Sequence, residues 1–222
     1  MVRIAFTFII LLYTTGNTFA QLQMFADSVI KGSSDSIRQQ YQLRLTDAMQ
    51  KFLATEQSFN TSFDTIPSIS TITSADNLIR FYQWIQPNME TQTYSIHGMM
   101  QVKDKKSKAI KIFTLTDGAM DKYTASDKIL NTDNYFAAIY YSIIPVKENK
   151  KTIYTLLGWR GVDNRTTVKT IDVLHFQKNK PKRLWFAIDQ ALHILILLGI
   201  AFFYHHQKIV FYEFDNRFWV IA

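Results

Sequence analysis

Three consecutive stretches between Tyr135 and Phe176 have the composition of β-strands. They read YFAAIYYSIIPV, TIYTLLGWRG and TVKTIDVLHF, and β-branched and aromatic residues dominate each of them. Two polar segments, KENKK at 147–151 and VDNRT at 162–166, separate the stretches. Strands joined by short polar turns are typical of an antiparallel meander, so we expect neighbouring strands to pair in sequence order.

Four more strands are predicted earlier in the chain. Their sequence patterns cover Ser68–Thr73, Leu78–Ile85, Thr91–Lys103 and Ala109–Thr116, with polar turns at 74–77, 86–88 and 104–108. Gly98 inside the third of these strands predicts a bulge or a bend. The mixed polar stretch that follows predicts a short helix near Ala125–Leu130.

A helix is predicted to begin at Asp35, with Ser34 or Asp35 as its cap. Apolar residues then recur at helical spacing, which places them on one face: Ile37, Tyr41, Leu45, Met49, Phe52 and Phe59. Arg38 falls on another face. The sequence therefore predicts an α+β domain over 21–182, with an N-terminal helix packed on a curved antiparallel meander of about seven strands. An open barrel is one form that such a sheet can take.

Residues 1–20 have the pattern of a secretory signal peptide. Arg3 is followed by the apolar segment Ile4–Tyr13, which is too short to cross a bilayer of about 30 Å as a helix. Thr18-Phe19-Ala20 offers a cleavage site with a small last residue. We expect cleavage after Ala20 and a location in the periplasm or cell envelope; an uncleaved N-terminal anchor is the alternative.

The composition excludes several kinds of site. The chain has no cysteine, which excludes disulfides, thiolate metal sites and a cysteine nucleophile. Lys and Arg exceed Asp and Glu by 25 to 18 without forming a basic stripe, so nucleic-acid binding is not expected. No motif in the sequence implies a cofactor or a metal ion.

Histidines and acids offer no convincing catalytic pattern. Asp172 and His175 are three residues apart on one predicted strand, so their side chains point to opposite faces. His97 stands alone in its strand, and the adjacent pair His205 and His206 lacks the spacing of a helical zinc site. We therefore predict no catalytic residue and no metal ligand.

Aromatic residues are the only candidates for ligand binding. Tyr82, Trp84, Tyr140 and Trp159 lie in predicted strands, and an aromatic concave face could bind an apolar ligand or a glycan. The same residues could instead fill a core between sheet and helix, as aromatic residues in strands commonly do.

Several strand sequences resemble a family of uncharacterised exported proteins of the Bacteroidota. The resemblance rests on Tyr154–Gly161 (YTLLGWRG), on Ile171–Phe176 (IDVLHF) and on Leu78–Trp84 (LIRFYQW). It covers roughly residues 21–180. The resemblance implies export and a β-rich fold, and it implies no activity and no site residue.

The composition changes abruptly near Lys182. Residues 183–222 contain no Ser or Thr, ten of the forty are aromatic, and Ile194–Tyr204 is an unbroken apolar run. Three interpretations stay open: a reading-frame shift near the Lys182 codon, a terminal helix followed by a strand at Lys208–Phe214, or a weak membrane anchor through Ile194–Tyr204. Sequencing the gene across that codon distinguishes the first from the other two.

The sequence thus favours an exported, non-enzymatic structural or interaction domain, with a protein of the cell envelope as a possible partner. A carrier of small molecules or glycans, built as an open β-barrel, is the alternative. A hydrolase with an unrecognised site is a further alternative, which requires acids, bases or histidines to converge in one cleft.

Overall fold

The computed structural model describes residues 18–117, 129–130, 132, 137–148, 151–177, 180–188, 210–214 and 217–221. Its first elements are helix α1 over residues 18–31, helix α2 at Asp35–Leu53 and a 3-10 helix at Glu56–Asn60. The side chain of Ser34 accepts a hydrogen bond from the backbone amide of Ile37, which confirms the predicted cap. Helix α1 was not predicted from the sequence.

Four antiparallel strands form the first sheet, in the order β1-β2-β3-β4. They are β1 at Ser70–Thr73, β2 at Ile79–Asn88, β3 at Thr93–Lys103 and β4 at Ile110–Leu115. Neighbouring strands pair in sequence order, as the polar turns between them predict.

Five strands form the second sheet, in the order β5-β9-β8-β7-β6. They are β5 at Ile129–Leu130, β6 at Ile139–Glu148, β7 at Lys151–Gly161, β8 at Thr167–Gln177 and β9 at Lys180–Ile188. All pairs are antiparallel, and a register shift between Tyr140 and Ser142 interrupts the pairing of β6 with β7. A separate hairpin joins β10 at Val210–Phe214 to β11 at Arg217–Ile221.

The helices and the two sheets form three layers with a hydrophobic core in each interval. Side chains alternate along β2, so Tyr82 and Trp84 pack against the helices while Ile79 and Phe81 face the second sheet. The α+β prediction is confirmed, with the N-terminal helix packed on antiparallel strands. The strands divide between two sheets where a single meander was expected.

Buried glutamines connect the layers. Gln101 in β3 donates to the carbonyl oxygen of Leu53 at 2.9 Å, which satisfies a group that the end of α2 leaves without a helical partner. Gln83 in β2 donates to the carbonyl of Ala138 and accepts a hydrogen bond from the backbone amide of Tyr140, so its side chain bonds to the start of β6 in the second sheet. These bonds satisfy polar groups that would otherwise be costly to bury.

The buried face of α2 differs from the predicted one at its N-terminal end. Leu45, Met49 and Phe52 are buried as expected, but Ile37 is exposed. Arg38, expected on another face, is buried and forms an ion pair with Asp35 at 2.7 Å. Helix α2 also ends before Phe59. That residue belongs to the 3-10 helix and is buried there. A charged residue with a partner one turn away can take an interior place that periodicity assigns to an apolar one.

Three local predictions were wrong. Gly98 continues β3 without a register shift, and a Cβ there would lie 2.8 Å from the carbonyl oxygen of Tyr82, so close packing accounts for this glycine. Residues 86–88, expected to turn, belong to β2. Residues 129–130, expected in a short helix, form β5, while 125–128 lie outside the described residues.

The predicted leader and tail lie partly outside the described residues. Of the leader, residues 18–20 begin helix α1, and Phe19 packs on the rings of Phe52 and Phe63 at 5.3 Å between centroids. In the tail, β9 runs across Lys182, and the run Ile194–Tyr204 is not described. None of the described helices is long and apolar enough to cross a membrane.

Candidate functional site

A cleft of about 500 Å³ opens beside α2, on the helix-facing side of the first sheet. Helix α2 forms one wall, with Gln39 and Leu43, and the turn after β7 forms the other, with Val162. Cavities that bind small molecules typically measure roughly 300 to 1,000 Å³. The cleft is therefore large enough for a small ligand.

The open part of the sheet presents hydroxyl groups. Ser95 in β3, Thr114 in β4 and Thr116 directly after β4 line the cleft. Their hydroxyls make no hydrogen bond to any residue that the structure describes. Apolar residues of this sheet face lie under the helices instead, for example Met99. The helices thus cover the apolar part of the face and leave a polar part accessible.

The inner end of the cleft is a hydrogen-bonded cluster around Trp84. The indole N–H of Trp84 donates to Gln42, whose amide in turn donates to Thr46 at 3.1 Å. The imidazole of His97 stacks on the indole with ring centroids 6.4 Å apart and contacts the Gln86 side chain at 2.8 Å. Burial lowers the pKa of His97 to about 4, against a smaller opposing effect of Asp117, so the imidazole is neutral at pH 7.

A buried ion pair lies in the same cleft. Arg160 in β7 contacts Asp117 at 2.8 Å and donates to the carbonyl oxygen of Ala137, also at 2.8 Å. The two charged side chains are only 10% and 9% exposed. Because Asp117 follows β4 and Arg160 belongs to β7, the pair connects the two sheets at the cleft.

Hydrogen bonds to two turns tie helix α2 and the second sheet to the first sheet. The Asp35 carboxylate at the start of α2 accepts the backbone amides of Met89 and Glu90 at 3.0 Å, in the turn between β2 and β3. Beyond this turn, Tyr94 donates its hydroxyl to Asn164 at 2.7 Å, in the turn between β7 and β8. Of these residues, Tyr94 also lines the cleft.

We expect Asp35→Asn to destabilise the fold in a pH-dependent way. The amide bonds from Met89 and Glu90 are the main cause of a lowered pKa at Asp35. A carboxyl with a lowered folded-state pKa stabilises the fold above its unfolded pKa of about 3.9, and this stability is lost as the pH falls through the folded value. The variant should therefore melt below the wild type at pH 7, and the difference should shrink as the pH falls below the unfolded pKa.

The control for this prediction is Asp47→Asn, on the same helix. Asp47 is exposed and forms its ion pair with Lys51 of α2 itself, at 2.7 Å. Thermal melts of the three proteins between pH 2 and pH 7 measure the effect, and titrations that all three share cancel in the difference. A gap between wild type and Asp35→Asn that stays constant over this range would contradict the assigned role.

The structure separates the four aromatic candidates. Tyr82 is fully buried under the helices, where it donates to Gln101 at 2.6 Å, and Tyr140 is buried between the sheets. Trp159 is partly buried on β7, beside Gly161. Of the four, Trp84 is the one that lines the cleft, and its ring is almost wholly covered.

Asp172 and His175, which the sequence did not support as a catalytic pair, do not line the cleft either. Asp172 is buried in β8 and accepts the hydroxyl of Tyr140 at 2.6 Å, two residues from buried Leu174 on the same strand face. His175 is three residues from Asp172 on β8, so it belongs to the opposite face of the strand. His205 and His206 lie outside the described residues. Within the described part of the chain, no three His, Asp or Glu side chains are grouped as a metal site requires.

Sequence reasoning missed the residues that shape the cleft. Arg160 carried a signal, because it is a charged residue in an otherwise apolar strand pattern, TIYTLLGWRG. A charge at such a position needs a buried partner. Asp117, Thr114 and Thr116 carried no such signal, since acids and threonines are ordinary at the end of a strand.

A second cavity of about 510 Å³ lies between the start of α1 and the C-terminal half of α2. Phe25 and Phe52 contribute apolar walls, and the charged lining consists of Arg44 and the Asp47–Lys51 ion pair. It lacks a buried polar cluster like the one around Trp84. The cleft beside the first sheet is therefore the better candidate site.

Comparison of the chain with protein-family models, with curated proteins and with solved structures finds no match.

Proposed function

We propose that this protein is an exported, non-enzymatic binding domain of the periplasm or cell envelope, and that the cleft beside α2 holds a small ligand. The observation that carries the proposal is the accessible polar face within that cleft. Ser95, Thr114 and Thr116 present hydroxyls there, and groups with free hydrogen-bonding capacity in a concave site can orient a ligand. The signal-peptide pattern of residues 1–20 supports export.

The titratable groups of the cleft favour binding over catalysis. Asp117 is engaged by Arg160, and His97 is neutral at pH 7 and contacts Gln86. General acid–base catalysis needs a group that can exchange a proton with the substrate near the working pH. His97, with its lowered pKa, is poorly matched to that role, and the carboxylate of Asp117 is held by Arg160, so we favour binding over hydrolysis.

Native mass spectrometry of protein purified from the envelope fraction of the host tests both parts of the proposal. We expect a chain that begins at Gln21, because the leader is removed during export, and a fraction of molecules that carry a small noncovalent adduct. Thr116→Trp should remove the adduct, since an indole at this exposed position fills the cleft. Thr73→Trp, at an exposed strand position of β1 outside the cleft, should retain it.

Each part can fail separately. An intact Met1–Ala20 segment on protein from this fraction would contradict cleavage, and recovery of the protein only from the cytoplasm would contradict export. Adduct-free protein, or an adduct that Thr116→Trp leaves in place, would contradict binding in the cleft.

A further inference from the structure

We infer that the ligand of this cleft is a neutral, hydroxyl-rich molecule of the saccharide class, about the size of a di- or trisaccharide. The inference rests on the proposed binding function and adds the chemistry of the ligand. It follows from the charge, the hydrogen-bonding groups and the shape of the lining.

The lining of the cleft has no net charge at neutral pH. Among the described residues that line it, the charged side chains are Asp117 and Arg160, which contact each other at 2.8 Å. His97 is uncharged at pH 7. A carboxylate, phosphate or ammonium group would lose its hydration on entry and meet no unpaired opposite charge, which is unfavourable. Neutral ligands avoid this cost.

Hydroxyl and amide groups dominate the polar lining. Ser95, Thr114 and Thr116 each provide one donor and two acceptor positions, and Gln39 adds an amide at the rim. Hydroxyls that both donate and accept suit a partner whose own groups do the same. Saccharide hydroxyls have this dual character, whereas an apolar ligand would leave these groups without partners.

The cleft also has an apolar side. Leu43, which is 62% exposed at the surface of α2, lies at the cleft together with Leu115 and Val162. A pyranose ring combines a hydroxyl rim with a C–H face, so it can satisfy both sides at once.

Isothermal titration calorimetry with defined trisaccharides tests the inference. The probes are three neutral sugars, maltotriose, cellotriose and N,N′,N″-triacetylchitotriose, together with anionic trigalacturonate and cationic chitosan trimer. We expect at least one neutral sugar to bind and the two charged sugars to bind at least tenfold more weakly. Thr114→Val should weaken the neutral sugar about tenfold, the loss expected for one hydrogen bond left unmade.

The matched control is Thr73→Val, because Thr73 and Thr114 are both exposed strand threonines of the first sheet. Unchanged binding in this variant is expected. A charged trimer that binds as tightly as the neutral sugars, or a Thr114→Val protein that binds like the wild type, would overturn the inference. If every sugar fails while a different adduct sensitive to Thr116→Trp is present, the saccharide inference falls and the proposed binding function stands. If both experiments find no ligand, both fall.

Discussion

Met49→Asp is expected to destabilise the fold by several kcal/mol. Met49 is fully buried on α2, in the core between the helices and the first sheet. An aspartate there would bury a carboxylate among apolar side chains with no cationic partner in the same cluster. We expect a loss of roughly 4 kcal/mol or more, a large part of the 5 to 15 kcal/mol that stabilises a typical domain.

Chemical denaturation followed by circular dichroism measures this loss, and Leu43→Asp is the control. Leu43 is an apolar residue of the same helix, but it is mostly exposed, so its change should alter the free energy of unfolding by no more than about 0.5 kcal/mol. Comparing the two removes the small effect of aspartate on helix propensity. Equal stability of the Met49 and Leu43 variants would show that α2 does not pack on the sheet.

Asp117→Ala is expected to destabilise the fold by about 3 to 5 kcal/mol, the range seen when one partner of a buried ion pair is removed. Arg160 would keep its charge in a site where it is only 10% exposed, with the contact at 2.8 Å gone. The pair also joins the end of β4 to β7. We therefore expect the variant to loosen the two sheets at the cleft before the rest of the domain unfolds, since stability can be lost locally.

The double variant Asp117→Ala/Arg160→Met separates the charge effect from lost packing. It removes both charges, so it should be more stable than Asp117→Ala alone, although the carbonyl of Ala137 loses its donor. Denaturant melts give the stability of each protein, and hydrogen exchange of β4 and β7 amides reports local loosening. A single variant within about 1 kcal/mol of the wild type would refute the importance of the pair.

Much of the secondary structure could be predicted because it depends on local patterns. All seven predicted strands are present, and the cap at Ser34 is correct. Some errors concern where a strand ends, as at residues 86–88, which belong to β2. Others concern burial that depends on a side-chain partner, as at Arg38. Export and the origin of the tail are still predictions from sequence patterns.

The candidate site could be predicted only in fragments. The aromatic strand residues were recognised, but Tyr82 and Tyr140 are held in two different cores. Their separation follows from the alternation of side chains in β2 and from the stacking of a second sheet, and the latter is not visible in any one segment. The importance of Thr114 and Thr116 depends on helix α2 leaving that part of the sheet uncovered.

The sequence by itself determined the antiparallel pairing in sequence order within β1 to β4 and within β6 to β8, and the start of α2, because turns, alternation and capping act over a few residues. Only the tertiary structure decided that the strands divide into two sheets, that Gln83 and Gln101 are interior, and that Asp117 meets Arg160 across 43 positions. Such contacts depend on which faces are covered by distant segments. The cleft depends on such contacts between distant segments, since its walls come from α2, β3, β4 and β7.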